Sequence, residues 1–137
     1  RRLETAKLVI GDIKDTAKNF FDHYNPAPIG CIFFDVDYYT STLAAFEIFE
    51  TASENRLPRV ACHFDDISGT NEFLGELCAI KKFNNTHDKM KITPHLMLSE
   101  MRRVAMPWNK EIFVFHDFDH PQYNTCSRGD YQLPLKP

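Results

Sequence analysis

The chain reads as an α/β protein with a Rossmann-like, mostly parallel sheet, and three observations carry that reading. Short apolar runs of four to six residues alternate with stretches of helical period, the pattern of β-α-β units. Cys31-Ile32-Phe33-Phe34 is apolar throughout, as expected of a central parallel strand covered on both faces. Acidic residues stand directly after the apolar runs, where an open parallel sheet gathers its ligands.

Taken in order, Lys7-Leu8-Val9-Ile10 reads as a strand ended by Gly11-Asp12. Asp15 then caps a helix whose apolar positions Ala17, Phe20, Phe21 and Tyr24 recur at helical spacing, closed by Asn25-Pro26. The Cys31 to Phe34 strand follows and stops at Asp35. Thr40 or Ser41 caps the next helix, which carries Leu43, Phe46, Ile48 and Phe49 and ends near Asn55 and Pro58. Residues 59–64 form the third strand, closed by Asp65-Asp66. A helix beginning near Thr70 carries Phe73, Leu74, Leu77 and Ile80 and gives way at Asn84-Asn85. Residues 91–96 and 111–116 then pair as an antiparallel hairpin at the sheet edge, and 121–137 is a polar, Pro-rich tail.

Composition sets the bounds. A chain of 137 residues, 43% hydrophobic and 26% charged, suits a single domain over 1–137. No apolar run approaches the roughly 20 residues that span a bilayer, and the opening Arg1-Arg2-Leu3-Glu4 has no signal-peptide character, so no membrane partner is expected. A net charge of −3 without a basic stretch argues against nucleic acid. Four cysteines, Cys31, Cys62, Cys78 and Cys126, form no C-x-x-C pair and read as reduced thiols in a cytoplasmic setting. Twelve Phe and five Tyr call for an aromatic core or a pocket for something flat.

The chemistry is expected at the strand ends. Asp12 follows the first strand, Asp35 and Asp37 the second, Asp65 and Asp66 the third. If those strands are neighbours, Asp35, Asp65 and Asp66 repel one another unless a cation intervenes. Ligands that are all oxygen select a hard ion, Mg²⁺ or else Mn²⁺ or Ca²⁺, over Zn²⁺. Were the strand to continue, Asp37 would be carried away from the ligands and left free to abstract a proton. His23, His87 and His95 read as surface or helix-end residues. His63 lies beside Asp65, and the loop His116-Asp117-Phe118-Asp119-His120-Pro121 is either a turn or a source of substrate contacts. Tyr38, Tyr39, Trp108 and Tyr123 are available to stack on a ring or to pack.

The runs Leu8-Val9-Ile10-Gly11-Asp12, Ile32-Phe33-Phe34-Asp35-Val36-Asp37-Tyr38-Tyr39-Thr40-Ser41-Thr42 and His63-Phe64-Asp65-Asp66 resemble the second half of a class I S-adenosylmethionine-dependent methyltransferase. The likeness is to the metal-dependent, macrocin-type sugar O-methyltransferases, whose fourth strand ends in D-x-D-x-Y-x-S-T and fifth in D-D. The resemblance implies Mg²⁺ on Asp35, Asp65 and Asp66, Asp37 as general base, and Asp12 with Ile13 against the adenine of S-adenosylmethionine. The implied reaction is O-methyl transfer to a small hydroxylated acceptor.

The Gly-rich loop and acidic ribose contact of that class are absent, and none of the five glycines forms G-x-G. The expectation is therefore the C-terminal part of a Rossmann-like methyltransferase domain, without its N-terminal strands, from a chain about twice this length. Strand edges left open in this way invite homo-oligomer formation. Two alternatives stay open: a metal-dependent D-x-D glycosyltransferase, and a non-catalytic binding module that has lost the cofactor half. A haloacid-dehalogenase phosphatase is rejected, because Tyr38-Tyr39 push Thr40 too far from the acids.

Overall fold

The computed structural model describes residues 6–125, apart from Gly69, Arg102 and Ala105. Most of the expected polar tail, and Cys126, lie outside the described residues. Short helices α1 (Ile13–Lys18) and α2 (Phe20–Tyr24) precede strand β1 (Ile29–Phe34). Helix α3 (Tyr39–Phe46) leads to strand β2 (Arg56–Phe64), then α4 (Gly75–Thr86), β3 (Met90–Pro94), α5 (Leu96–Glu100) and β4 (Ile112–Asp117).

The four strands lie in the order β1-β2-β4-β3. β1 and β2 are parallel, whereas β4 enters between β2 and β3 and runs antiparallel to both. The α/β class holds, but the sheet is mixed rather than mostly parallel. The hairpin of β3 and β4 forms as expected, with β3 at the edge. No helix of the described residues is long and apolar enough to cross a membrane.

Residues 7–10 make no strand. A strand exists through its partner's hydrogen bonds, and none is supplied here among the described residues: Leu8 is 83% exposed and Ile10 86% exposed. The cap of α1 also moves. Asp12, not Asp15, accepts the Lys14 N–H at 3.0 Å, and the helix breaks at Asn19 into α1 and α2. Neither Thr40 nor Ser41 caps α3; Tyr38 stands at that position without a side-chain cap, and the Thr42 hydroxyl donates to its carbonyl. β2 starts earlier than the Pro58 signal suggested. Its register against β1 slips between Arg56 and Ala61, so Pro58, which lacks an N–H, sits in the irregular stretch. α4 continues through Asn84 because that side chain leaves the helix: its amide donates to the Ile92 carbonyl and its oxygen accepts the Ile92 N–H, holding β3 as a strand neighbour would.

The helical face of the sheet is an aromatic core. Phe34 and Phe64, register partners on β1 and β2, stack at 4.7 Å, and Phe49 stacks on Phe115 at 4.0 Å. Phe46 and Phe83 meet these rings edge-on. Packing thus accounts for much of the aromatic surplus, and removing one such ring costs about 3–5 kcal/mol. The opposite face was expected to be covered as well. Instead Phe33 is 75% exposed and Cys31, Leu57 and Ala61 are open to solvent, because Ala17, Ala45, Phe46, Ala79 and Phe83 of the helices are buried on the other side.

The polar loop after β4 serves structure. Asp117 and Arg56 form a buried ion pair at 2.7 Å that ties the end of β4 to the start of β2. His120 bonds the Ser53 carbonyl, and His116 bonds the Tyr123 hydroxyl at 2.9 Å. Tyr123 also lies under the Arg59 guanidinium at 3.9 Å. Of the remaining histidines, His87 pairs with Glu50, His95 caps α5 and His23 bonds the Asn19 carbonyl.

Candidate metal centre

Parallel pairing of Phe34 with Phe64 ends β1 and β2 side by side, so the residues that follow each strand emerge together. Beyond Phe34 the chain turns within three residues: the Tyr38 N–H donates to the Val36 carbonyl, and Asp37 takes a left-handed conformation at φ +48°. Asp and Asn tolerate that region better than other side chains carrying a Cβ. The turn returns Asp37 toward Asp35 rather than carrying it away. Beyond Phe64 a helical turn of three residues, Asp65–Ile67, begins at once. Successive side chains on such a turn diverge by about 120°, so it separates the acidic doublet.

The consequence is two clusters. Asp35, Asp37 and Asp66 each bring a carboxylate oxygen within 4.8 Å of the others. Asp65 is not among them; it joins His63 and Glu111, whose ligand atoms also lie within 4.8 Å of one another. Of the expected metal ligands, then, Asp35 and Asp66 converge and Asp65 does not, while Asp37, expected to stand apart, is the third member.

The first cluster carries uncompensated charge. Asp35, Asp37 and Asp66 make no ion pair with Lys or Arg among the described residues. The Asp66 carboxyl is pushed above its ordinary value, first by a shared hydrogen bond with Asp37, then by burial and by the negative charges of Asp37, Asp65 and Asp35. Its Oδ2 is sealed from solvent and has no partner among the described residues.

Glu76 lies behind the acids. It is 1% exposed, its Oε2 accepts the Asp66 N–H at 3.1 Å, and its Oε1 is buried without a partner among the described residues. Burial raises its carboxyl from 4.5 to about 7; the Asp66 N–H opposes the rise, and the charges of Asp66, Asp65 and Asp35 add to it. Gly75, at φ +49°, opens α4 against the Asp37 carbonyl, and a Cβ there would lie 3.0 Å from that oxygen. The backbone of α4 therefore fits closely under the Asp37 turn.

Sequence reasoning missed Glu76 and Glu111. Glu76 had a signal: it falls four and seven residues before Ile80 and Phe83, on the stripe that α4 buries. Glu111 had none, since its place beside His63 follows from β4 entering next to β2. The two residues expected to contact the adenine divide. The Asp12 carboxylate is engaged in capping α1, whereas Ile13 lines an apolar groove of about 250 Å³ with Val9, Ala17, Ile32, Phe33 and Val36. That groove reaches Val36, which lies between Asp35 and Asp37. Tyr38, at the cluster, is 72% exposed, and Trp108 is 53% exposed. No protein-family model matches the chain, and no curated protein or solved structure matches it either.

Proposed function

We propose that Asp35 and Asp66 hold a hard divalent cation, Mg²⁺ ahead of Zn²⁺, with Asp37 as the adjacent base, in S-adenosylmethionine-dependent O-methyl transfer to a small hydroxylated acceptor. The observation that carries the reading is the convergence of three uncompensated carboxylates at the ends of two parallel strands. Oxygen donors without nitrogen or sulfur favour a hard ion. The partnerless Oδ2 and the raised carboxyl of Asp66 mark a place where positive charge is missing. When bound, the cation lowers the proton affinity of a hydroxyl beside it.

The chain's own residues supply the rest. Asp37 stands within ligand reach of Asp35 and Asp66, so the proton it takes is that of a hydroxyl held at the same point. Its exposure lets that proton pass to solvent. The apolar groove beside Val36 and Ile13 adjoins the acids and offers a flat, greasy wall for a base ring. Among the described residues β1 stands at one edge of the sheet, next to β2.

Calorimetric titration of the full chain with Mg²⁺, alone and with S-adenosylhomocysteine, tests the reading. Mg²⁺ binding is expected in the parent chain, to be lost in Asp35→Asn and kept in Asp37→Asn and Asp65→Asn. S-adenosylhomocysteine is expected to bind more tightly with Mg²⁺ present. Absence of Mg²⁺ binding overturns the metal assignment, and binding of a nucleotide-sugar in place of S-adenosylhomocysteine moves the site to glycosyl transfer.

A further inference from the structure

The cluster left over when Asp65 parts from Asp66 has a different chemistry. We propose that His63, Asp65 and Glu111 form a second divalent-cation site, suited to a borderline ion such as Zn²⁺ or Co²⁺. The site is distinct from methyl transfer and shares no ligand with the Asp35 cluster.

Its placement is structural. His63 pairs with Ile112 across β2 and β4, and Glu111, the last residue of the 3-10 turn Pro107–Glu111 that leads into β4, brings its carboxylate to the imidazole. Asp65 follows two residues after His63 and stays on its side of the sheet, while Asp66 turns to the other cluster. The ring of His63 is held against Phe33, with centroids 5.5 Å apart.

The geometry is that of ligands more than of a closed ion pair. His63 Nε2 and Glu111 Oε2 are 3.4 Å apart, longer than an ordinary N–H···O bond. Two ligands at about 2.0–2.1 Å from one tetrahedral ion stand about 3.3 Å apart, so the observed separation matches an edge of such a polyhedron. Asp65 needs only a modest inward adjustment from its present position within 4.8 Å. The second oxygen of Glu111 accepts the Ser68 hydroxyl at 2.6 Å, which leaves Oε2 facing the imidazole, as an outer-shell partner does at metal sites. A neutral imidazole and two carboxylates sum to −2, the charge that a divalent ion cancels. Three protein ligands leave a fourth position for water or another donor. The imidazole nitrogen is what separates this site from the oxygen-only cluster and draws a softer ion.

The test is titration of the full chain with Zn²⁺, and with Co²⁺ followed by its visible absorption. One equivalent of Zn²⁺ and a tetrahedral Co²⁺ spectrum are expected. Both should be lost in His63→Ala and in Glu111→Gln, which serves if the His63 variant fails to fold. Ser68→Ala should weaken Zn²⁺ by about 10-fold, and Asp35→Asn should leave it unchanged. Zn²⁺ affinity that survives both His63→Ala and Glu111→Gln overturns the proposal. So does affinity lost with Asp35→Asn, which would put the ion in the other cluster. Neither result touches the Mg²⁺ titration, so failure here is distinct from failure of the methyl-transfer reading.

Discussion

Asp65 and Asp66 are neighbours in sequence and members of two clusters with different ligand chemistry. Around Asp65, the cluster includes an imidazole, and a serine hydroxyl takes up one oxygen of its glutamate. Around Asp66, three carboxylates meet without a basic partner among the described residues, and a fourth, Glu76, lies buried beneath them. The difference teaches that a D-D pair at a strand end is not by itself a two-ligand motif. A helical turn starting at the first Asp is enough to send each carboxylate to its own site.

The largest effect that sharpens this comparison comes from Glu76. Its carboxyl titrates higher in the fold than in the unfolded chain, so the folded state binds more protons between the two values. Stability is then fully present below about pH 4.5 and declines as pH rises through about 7. A rise from 4.5 to about 7 corresponds to roughly 3 kcal/mol. Urea unfolding at pH 5 and pH 8 measures it: the parent chain should be less stable at pH 8, and Glu76→Gln should remove most of the difference. Equal pH dependence in the two proteins would show that Glu76 carries no proton into the fold.

A smaller effect is expected at the other wall of the oxygen-only cluster. Gly75→Ala places a side chain at φ +49° and 3.0 Å from the Asp37 carbonyl, with a cost of about 1–2 kcal/mol. The same change should weaken Mg²⁺ while sparing Zn²⁺, since a Cβ on Gly75 would press on the Asp37 carbonyl. A substitution that leaves both stability and Mg²⁺ binding unaltered would break the link between α4 and the cluster.

Much of this was legible before the fold was known. Apolar runs ending in acids placed Asp35 and Asp66 at adjacent strand ends, and the pairing of Phe34 with Phe64 brings them together. What was hidden depends on distant pairing or on turns shorter than any periodic signal. Leu8 and Ile10 carry a strand pattern but meet no partner strand among the described residues, so the pattern has nothing to express it. Asn84 looks like a helix stop until its side chain is seen bonding Ile92. Glu111 reaches His63 only because β4 lies antiparallel beside β2. The Asp37 turn depends on one left-handed residue, which the sequence marks only by allowing it.

The central claim is that the ends of β1 and β2 share one hard-cation site. Line broadening of backbone amide signals by substoichiometric Mn²⁺ tests it most directly. The amides of Asp35, Val36, Asp37 and Asp66 should broaden first, and Asp35→Asn should abolish the effect. Broadening centred on His63 and Glu111, or none near either strand end, would contradict it.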